Sequence, residues 1–235
     1  MRLNKIAFLP VILALFIACK KTDDKRPISL DSFKEAPYYS VIVNNEVLDS
    51  APDYDLNARI NGYSALQYLV WNQFVNKNDS ENDNIEVFKS FIENGSEIAS
   101  LFEDEFRQQF DIIGACISEY RNKYLNYILS QIDFELPDLD ETGGNYLQLA
   151  INCSNSIVIY DLLPYIKNIN GTNSKNQTVL HYAAAACIDY EIIEYLLSYG
   201  ADKTIKDTDG KTACDIYVDY YSTYDENYRL LKEGK

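Results

Sequence analysis

Thr178-Val179-Leu180-His181-Tyr182-Ala183 opens one helix, Glu191-Ile192-Ile193-Glu194-Tyr195-Leu196-Leu197 forms a second, and Tyr199-Gly200-Ala201-Asp202 closes the pair. An extended stretch, Lys203 to Asp209, leads to Gly210-Lys211-Thr212, where the pattern starts again. Thr178 and Thr212 stand 34 residues apart, a spacing that marks a stacked two-helix repeat. One such unit cannot bury its apolar face alone, so the period predicts neighbours on both sides.

Upstream, Asn145-Tyr146-Leu147-Gln148-Leu149-Ala150 lies 33 residues before Thr178. It is followed by Ile157, Val158, Leu162 and Leu163 as an outer helix, which Pro164 ends or kinks. An earlier start is Asp55-Leu56-Asn57-Ala58 with Gly62-Tyr63-Ser64-Ala65-Leu66-Gln67, whose second helix runs from Asn84 to Ile92. The polar stretch Asn76 to Asp83 between them reads as a loop insertion. Residues 101–132 are less regular: Phe110, Ile112, Ile113, Ala115 and Cys116 suggest an inner helix, and Tyr124, Leu125, Ile128 and Leu129 share one helical face. They form a second, diverged repeat. Thr212 to Tyr217 begins a fifth, closed by Tyr228 to Lys232.

The Thr-Val-Leu-His-Tyr-Ala opening and the Leu-Leu-x-x-Gly-Ala-Asp close resemble the ankyrin repeat family, as does the Asp-Leu-Asn-Ala run at residue 55. The resemblance covers residues 55–232 and implies an all-α solenoid of about five repeats that binds other proteins. Its domain plan is 55–235 for the repeats, 38–54 for an N-terminal cap over the first repeat's open flank, and 19–37 for a tether. That tether is rich in charge (Lys20, Lys21, Asp23, Asp24, Lys25, Arg26) and too poor in apolar residues to pack.

Residues 1–18 read as a secretory signal. Arg2 and Lys5 precede an apolar run, Ile6 to Ala18, of about 13 residues, where spanning a bilayer takes roughly 20. The Ala18-Cys19 junction resembles the lipobox of bacterial lipoproteins, although Phe16 stands where that family prefers leucine. The resemblance implies acylation of Cys19 and anchoring at the cell envelope, on the periplasmic face or the cell surface. Two or more acyl chains give a stable anchor. An ordinary signal peptide, with no role for Cys19, is the alternative.

The chain carries 21 basic and 36 acidic residues, a net charge of −15 that becomes about −17 once Arg2 and Lys5 are cleaved away. Such a protein is poorly suited to phosphate backbones, so no nucleic-acid partner is expected. Past Cys19 there are four cysteines: Cys116, Cys153, Cys187 and Cys214. Cys153 and Cys187 hold nearly equivalent places in adjacent repeats, whose helices sit about 8–10 Å apart, beyond the roughly 7 Å Cα separation of a disulfide. Buried free thiols are therefore expected.

His181 is the sole histidine. A general-base role would use its near-neutral pKa, but Gln67, Gln148 and Asp215 occupy its place in other repeats, and a glutamine does no acid–base work. The ankyrin resemblance makes it a backbone fastener. No Gly-rich phosphate loop, zinc spacing or His-Glu-x-x-His occurs, so neither an enzyme nor a cofactor is expected. A carboxylate-dependent hydrolase and an immunity protein neutralising a basic toxin are the alternatives to a plain scaffold.

In ankyrin-like stacks partners meet the turn tips and the exposed residues late in the inner helix. Carried onto this chain, the resemblance implies contact by Tyr63, Trp71 and Asn72; by Glu141, Thr142 and Asn152; by Ser174, Lys175 and Gln177; and by Thr208, Asp209, Lys211, Asp219 and Tyr220. The partner expected is another protein, a basic one where acidity guides the encounter, gripped by a monomer.

Overall fold

The computed structural model describes residues 30–75, 85–102, 112–136, 138, 144–221 and 224–234. Helices are the regular structure among them, accompanied by two isolated bridges, Ile60–Tyr63 and Leu136–Ile166. This is the all-α, ankyrin-type fold class that the repeat period predicts. None of the described helices is long and apolar enough to cross a membrane. The chain divides into two compact units, Asp23–Ile132 and a second that contains Asp133–Lys235.

In the first unit α1 (Tyr39–Asn44) is followed by α2 (Ala65–Val75), α3 (Ile85–Glu93), α4 (Ile112–Ser118) and α5 (Asn122–Gln131). Tyr124, Leu125, Ile128 and Leu129 are all buried along α5, and α4 packs against it. Residues 112–131 of the irregular stretch are therefore a helix pair, as its periodicity implies, while Phe110 lies outside the described residues. The proposed loop insertion, 76–83, lies outside the described residues. The tether ends sooner than expected: Leu30–Phe33 forms a 3₁₀ turn, and the Phe33 ring, 1% exposed, stacks 4.2 Å from that of Tyr68. One aromatic side chain with a neighbouring ring to cover offsets the cost of ordering the polar residues around it.

The second unit contains α6 (Tyr146–Asn152), α7 (Ile159–Leu162), α8 (Val179–Ala186), α9 (Tyr190–Ser198), α10 (Ala213–Tyr221) and α11 (Glu226–Glu233). The inner helix α8 packs between α6 and α10, while α9 packs on α11 in the outer row. Leu180, Ala183 and Ala184 are fully buried, and the alanines allow the inner helices to approach closely. Against them lie Ile193 and Leu196; Leu197, expected in this core, is only half-buried. The outer helix of the third repeat differs from expectation. A 3₁₀ turn at Ser156–Val158 leads into the single turn of α7, and Val158, Ile159, Leu162 and Leu163 face inward while Ile157 is 69% exposed. Three residues per turn in the 3₁₀ segment shift the apolar phase by one position.

Several helix ends share one closing geometry in both units. Ala201 N–H bonds the Leu196 carbonyl at 3.1 Å and Gly200 N–H that of Leu197 at 3.0 Å, with Gly200 at φ 95°. This is the left-handed close that a glycine favours. The inner helices close the same way on other residues: Tyr120, Ser154 and Cys187, at φ 56°, 58° and 49°.

Candidate interaction surface

The tips of the last two repeats are built alike by a side chain the sequence reading missed. Asn173 Oδ1 accepts from Lys175 N–H at 2.9 Å and Gln177 N–H at 3.0 Å. Thirty-four residues on, Asp207 Oδ1 accepts from Asp209 N–H and Lys211 N–H, both at 2.9 Å. Asn and Asp favour such turns because a short side-chain acceptor can stand in for a backbone carbonyl. The signal was available: Asn173 and Asp207 both stand five residues before a cap threonine. The two tips are joined by Thr208 N–H to the Lys175 carbonyl at 3.0 Å and Asn176 Nδ2 to the Lys206 carbonyl at 2.6 Å.

On this frame Ser174, Lys175, Thr208 and Asp209 are exposed, and Gln177 and Lys211 are half-buried. Lys211 Nζ reaches Asp219 of α10 at 2.5 Å, next to a half-buried Tyr220. The bond to Asp219 raises the lysine's pKa, but an ion pair this open to water adds little stability. Its effect is to tie tip to helix. Asn152, at the end of α6, is half-buried.

The same positions in the first repeat are not a surface. Tyr63 is 8% exposed, Trp71 6% and Asn72 2%. Asn72 Nδ2 donates to the Ile42 carbonyl at 3.0 Å, fastening α2 to α1. Asn61 and Gly62, at φ 51° and 89°, form the tight turn between Ile60 and Tyr63, and Asn61 Nδ2 donates to the Ser32 carbonyl. The N-terminal segment thus engages this tip, and the three residues expected to touch a partner belong to the interior. Glu141 and Thr142 lie outside the described residues.

Beneath the tips runs a series of joints. Gln67 Oε1 accepts from Ser64 N–H at 2.7 Å while its Nε2 donates to the Ser100 carbonyl at 2.7 Å. Gln148 Oε1 accepts from Asn145 N–H at 3.1 Å, and its Nε2 donates to the carbonyls of Gly171 (3.0 Å) and Gln177 (2.8 Å). His181 Nδ1 lies 3.1 Å from Thr178 N and Nε2 lies 3.1 Å from the Lys211 carbonyl oxygen. The backbone amide can only donate, so Nδ1 accepts and the neutral ring carries its proton on Nε2. Burial lowers the pKa of His181, opposed by the Lys211 hydrogen bond and by Asp207. The imidazole is a fastener between repeats. Asp215 Oδ2 accepts from Thr212 N–H at 2.9 Å and from its hydroxyl at 2.8 Å, and these bonds hold its carboxyl below the usual range.

Of the thiols outside any disulfide, Cys116 is buried and Cys214 half-buried, while Cys187 is exposed rather than buried as expected. Cys153 is disulfide-bonded, which corrects the expectation of four free thiols. Among the described residues no group of three or more His, Cys, Asp or Glu could hold a metal. A depression of about 370 Å³ lined by Leu197, Ala201, Lys203 and Gly234 includes none of the expected contact residues.

Residues 167–216, which span both tips and the His181 joint, match the family model for ankyrin repeats (many copies). A protein of Borreliella burgdorferi, provisionally named an ankyrin repeat protein, is 33% identical over 98 residues. The match takes in 42% of this chain and 23% of that relative's length. Ankyrin repeats imply a protein-interaction scaffold, and it is to the ankyrin repeat family that this chain, in sequence over 167–216 and in its helical fold, is similar.

Proposed function

We propose that this protein is a lipid-anchored binding scaffold of the bacterial cell envelope, gripping another protein with the tips at 174–177 and 208–211 and with Asp219 and Tyr220. The carrying observation is the pair of tips, each stapled by Asn173 or Asp207 and each bonded to the other. Such a frame holds its exposed side chains in place before a partner arrives, which lowers the ordering cost of association. Lys175, Asp209 and the Lys211–Asp219 pair give the patch both signs of charge, so a partner is read by register rather than by bulk attraction.

Capture from solubilised membranes by the full-length protein tests the reading. A protein retained by the native chain and lost with Lys175→Ala/Asp209→Ala, at unchanged thermal midpoint, supports it. Undiminished capture by that variant removes the tips from the contact.

The anchor is tested separately. Mass spectrometry of the mature N-terminus is expected to find thioether-linked lipid on Cys19, and Cys19→Ser to release the protein from membranes. A sulfur joined to another cysteine cannot carry that lipid, so a disulfide at Cys19 in protein from membranes would remove the anchor from the proposal.

A further inference from the structure

The outer helices of the second unit carry a surface distinct from the tips. The Tyr160 ring of α7 lies 4.7 Å from that of Tyr195 in α9, and Tyr195 lies 5.2 Å from Tyr199 at the end of that helix. α9 buries Ile192, Ile193 and Leu196, so the 3.6-residue period turns 190, 191, 194 and 195 outward. Tyr160 is 41% exposed, Tyr190 45% and Tyr199 46%, beside Ile157 at 69%. An outer helix needs no aromatic residue for its own packing at such positions. Ring area left in water forgoes roughly 25 cal/mol per Å².

Carboxylates lie near the Tyr195 and Tyr190 phenols. The Tyr195 phenol is held above its ordinary pKa by its hydrogen bond with Tyr199, then by burial and by Tyr199, Tyr160 and Asp161 nearby. That of Tyr190 is held up by its hydrogen bond with Glu191 and by the charges of Glu191, Glu194 and Glu226. Among the described residues neither Asp161 nor Glu191 is in an ion pair, and no lysine or arginine lies over the rings of Tyr160, Tyr195 or Tyr199. The chain shows elsewhere what this chemistry accepts. Lys89 sits 5.8 Å from the centre of the Tyr127 ring while bonded to Glu86 at 2.9 Å, and Lys232 sits 5.1 Å from the centre of the Tyr228 ring.

We propose that the ledge formed by Tyr160, Tyr195 and Tyr199, with Asp161 and Glu191 beside it, docks a positively charged, arginine-bearing segment of another protein. A guanidinium is planar and weakly hydrated, so it stacks on a phenol ring while its edge donates to a carboxylate. The chain's charge of −15 disfavours anionic occupants such as nucleic acid or acidic lipid and favours encounter with a basic one. The ledge shares no residue with the tips, so either surface can fail without the other.

The probe is a fluorophore-labelled hexa-arginine peptide titrated onto the full-length protein, with hexa-lysine alongside. The expected result is saturable binding, tighter for arginine than for lysine. Tyr160→Ala/Tyr199→Ala should weaken it at least tenfold at unchanged thermal midpoint, and Lys175→Ala/Asp209→Ala should leave it as it was. Equal binding by the tyrosine variant overturns the proposal. So does equal binding of the two peptides that vanishes together at about 0.5 M salt, since diffuse acidity alone would behave that way. Tyrosine-dependent sedimentation with neutral phosphatidylcholine vesicles, without peptide binding, would assign the ledge to a lipid surface instead.

Discussion

The joint between residue 67 and the 3₁₀ helix at Ser100 and the joint between residue 181 and the loop at Lys211 do the same work with different side chains. In one, a glutamine amide accepts from the Ser64 amide and donates to the Ser100 carbonyl; in the other, an imidazole accepts from Thr178 and donates to Lys211. What the fold demands is an acceptor and a donor at opposite ends of a short planar group. Gln148 meets the demand a third time. Asp215 meets half of it. A carboxylate accepts from Thr212 but has no proton to pass on.

Gln148→Ala should break this comparison most severely. It strands the Asn145 amide and the Gly171 carbonyl, at about 1–3 kcal/mol per buried group left unpaired, and leaves the Gln177 carbonyl with the Asn173 N–H alone. A loss of about 3–5 kcal/mol is expected in urea unfolding, and a loss near 1 would mean that water replaces the amide.

His181→Ala strands the Thr178 amide, while the Lys211 carbonyl keeps the Asp207 N–H, and should cost about 1–3 kcal/mol. His181→Gln should stay within about 1 kcal/mol of the native chain at neutral pH, because Gln67 and Gln148 already make both bonds. The pH profile separates the two side chains. Burial lowers the folded-state pKa of His181 below its ordinary value of 6.5, so the unfolded chain binds the extra proton first. Stability from this residue is therefore complete above about 6.5 and is lost as pH falls toward the lowered folded value. His181→Gln should abolish that loss in urea titrations over the same range, leaving the later, more acidic loss from carboxylates such as Asp202 and Asp215, whose pKa values are also depressed.

Asp215→Ala removes only bonds at the helix start and should cost about 1 kcal/mol. A cost matching that of Gln148→Ala would show that Asp215 serves as a full joint after all.

The smallest effect concerns the helix ends. Cys187 holds a left-handed conformation at φ 49° with an exposed thiol, where Gly200 does the same without a side chain. Cys187→Gly should raise stability by up to about 1 kcal/mol in thermal melts.

The repeat period and the equivalence of Gln67, Gln148 and His181 were legible because they are local: each depends on residues three or four apart, or on the same place one period away. Even the diverged helix pair after residue 111 showed its apolar face. Exposure was not legible. Trp71 and Tyr160 are both aromatic residues on repeat helices, yet one is inside and the other open.

By itself the sequence determined the helices, their order and the fasteners between them, since hydrogen-bonding capacity and hydrophobic period reside in the residues. Tertiary structure alone decided which tips stay open. Phe33 and Ser32 come back onto Tyr68 and Asn61, while the Thr208 tip is tied to Lys175 with its side chains in water. Burial depends on what packs against a residue from far along the chain, and no spacing within one repeat carries that information.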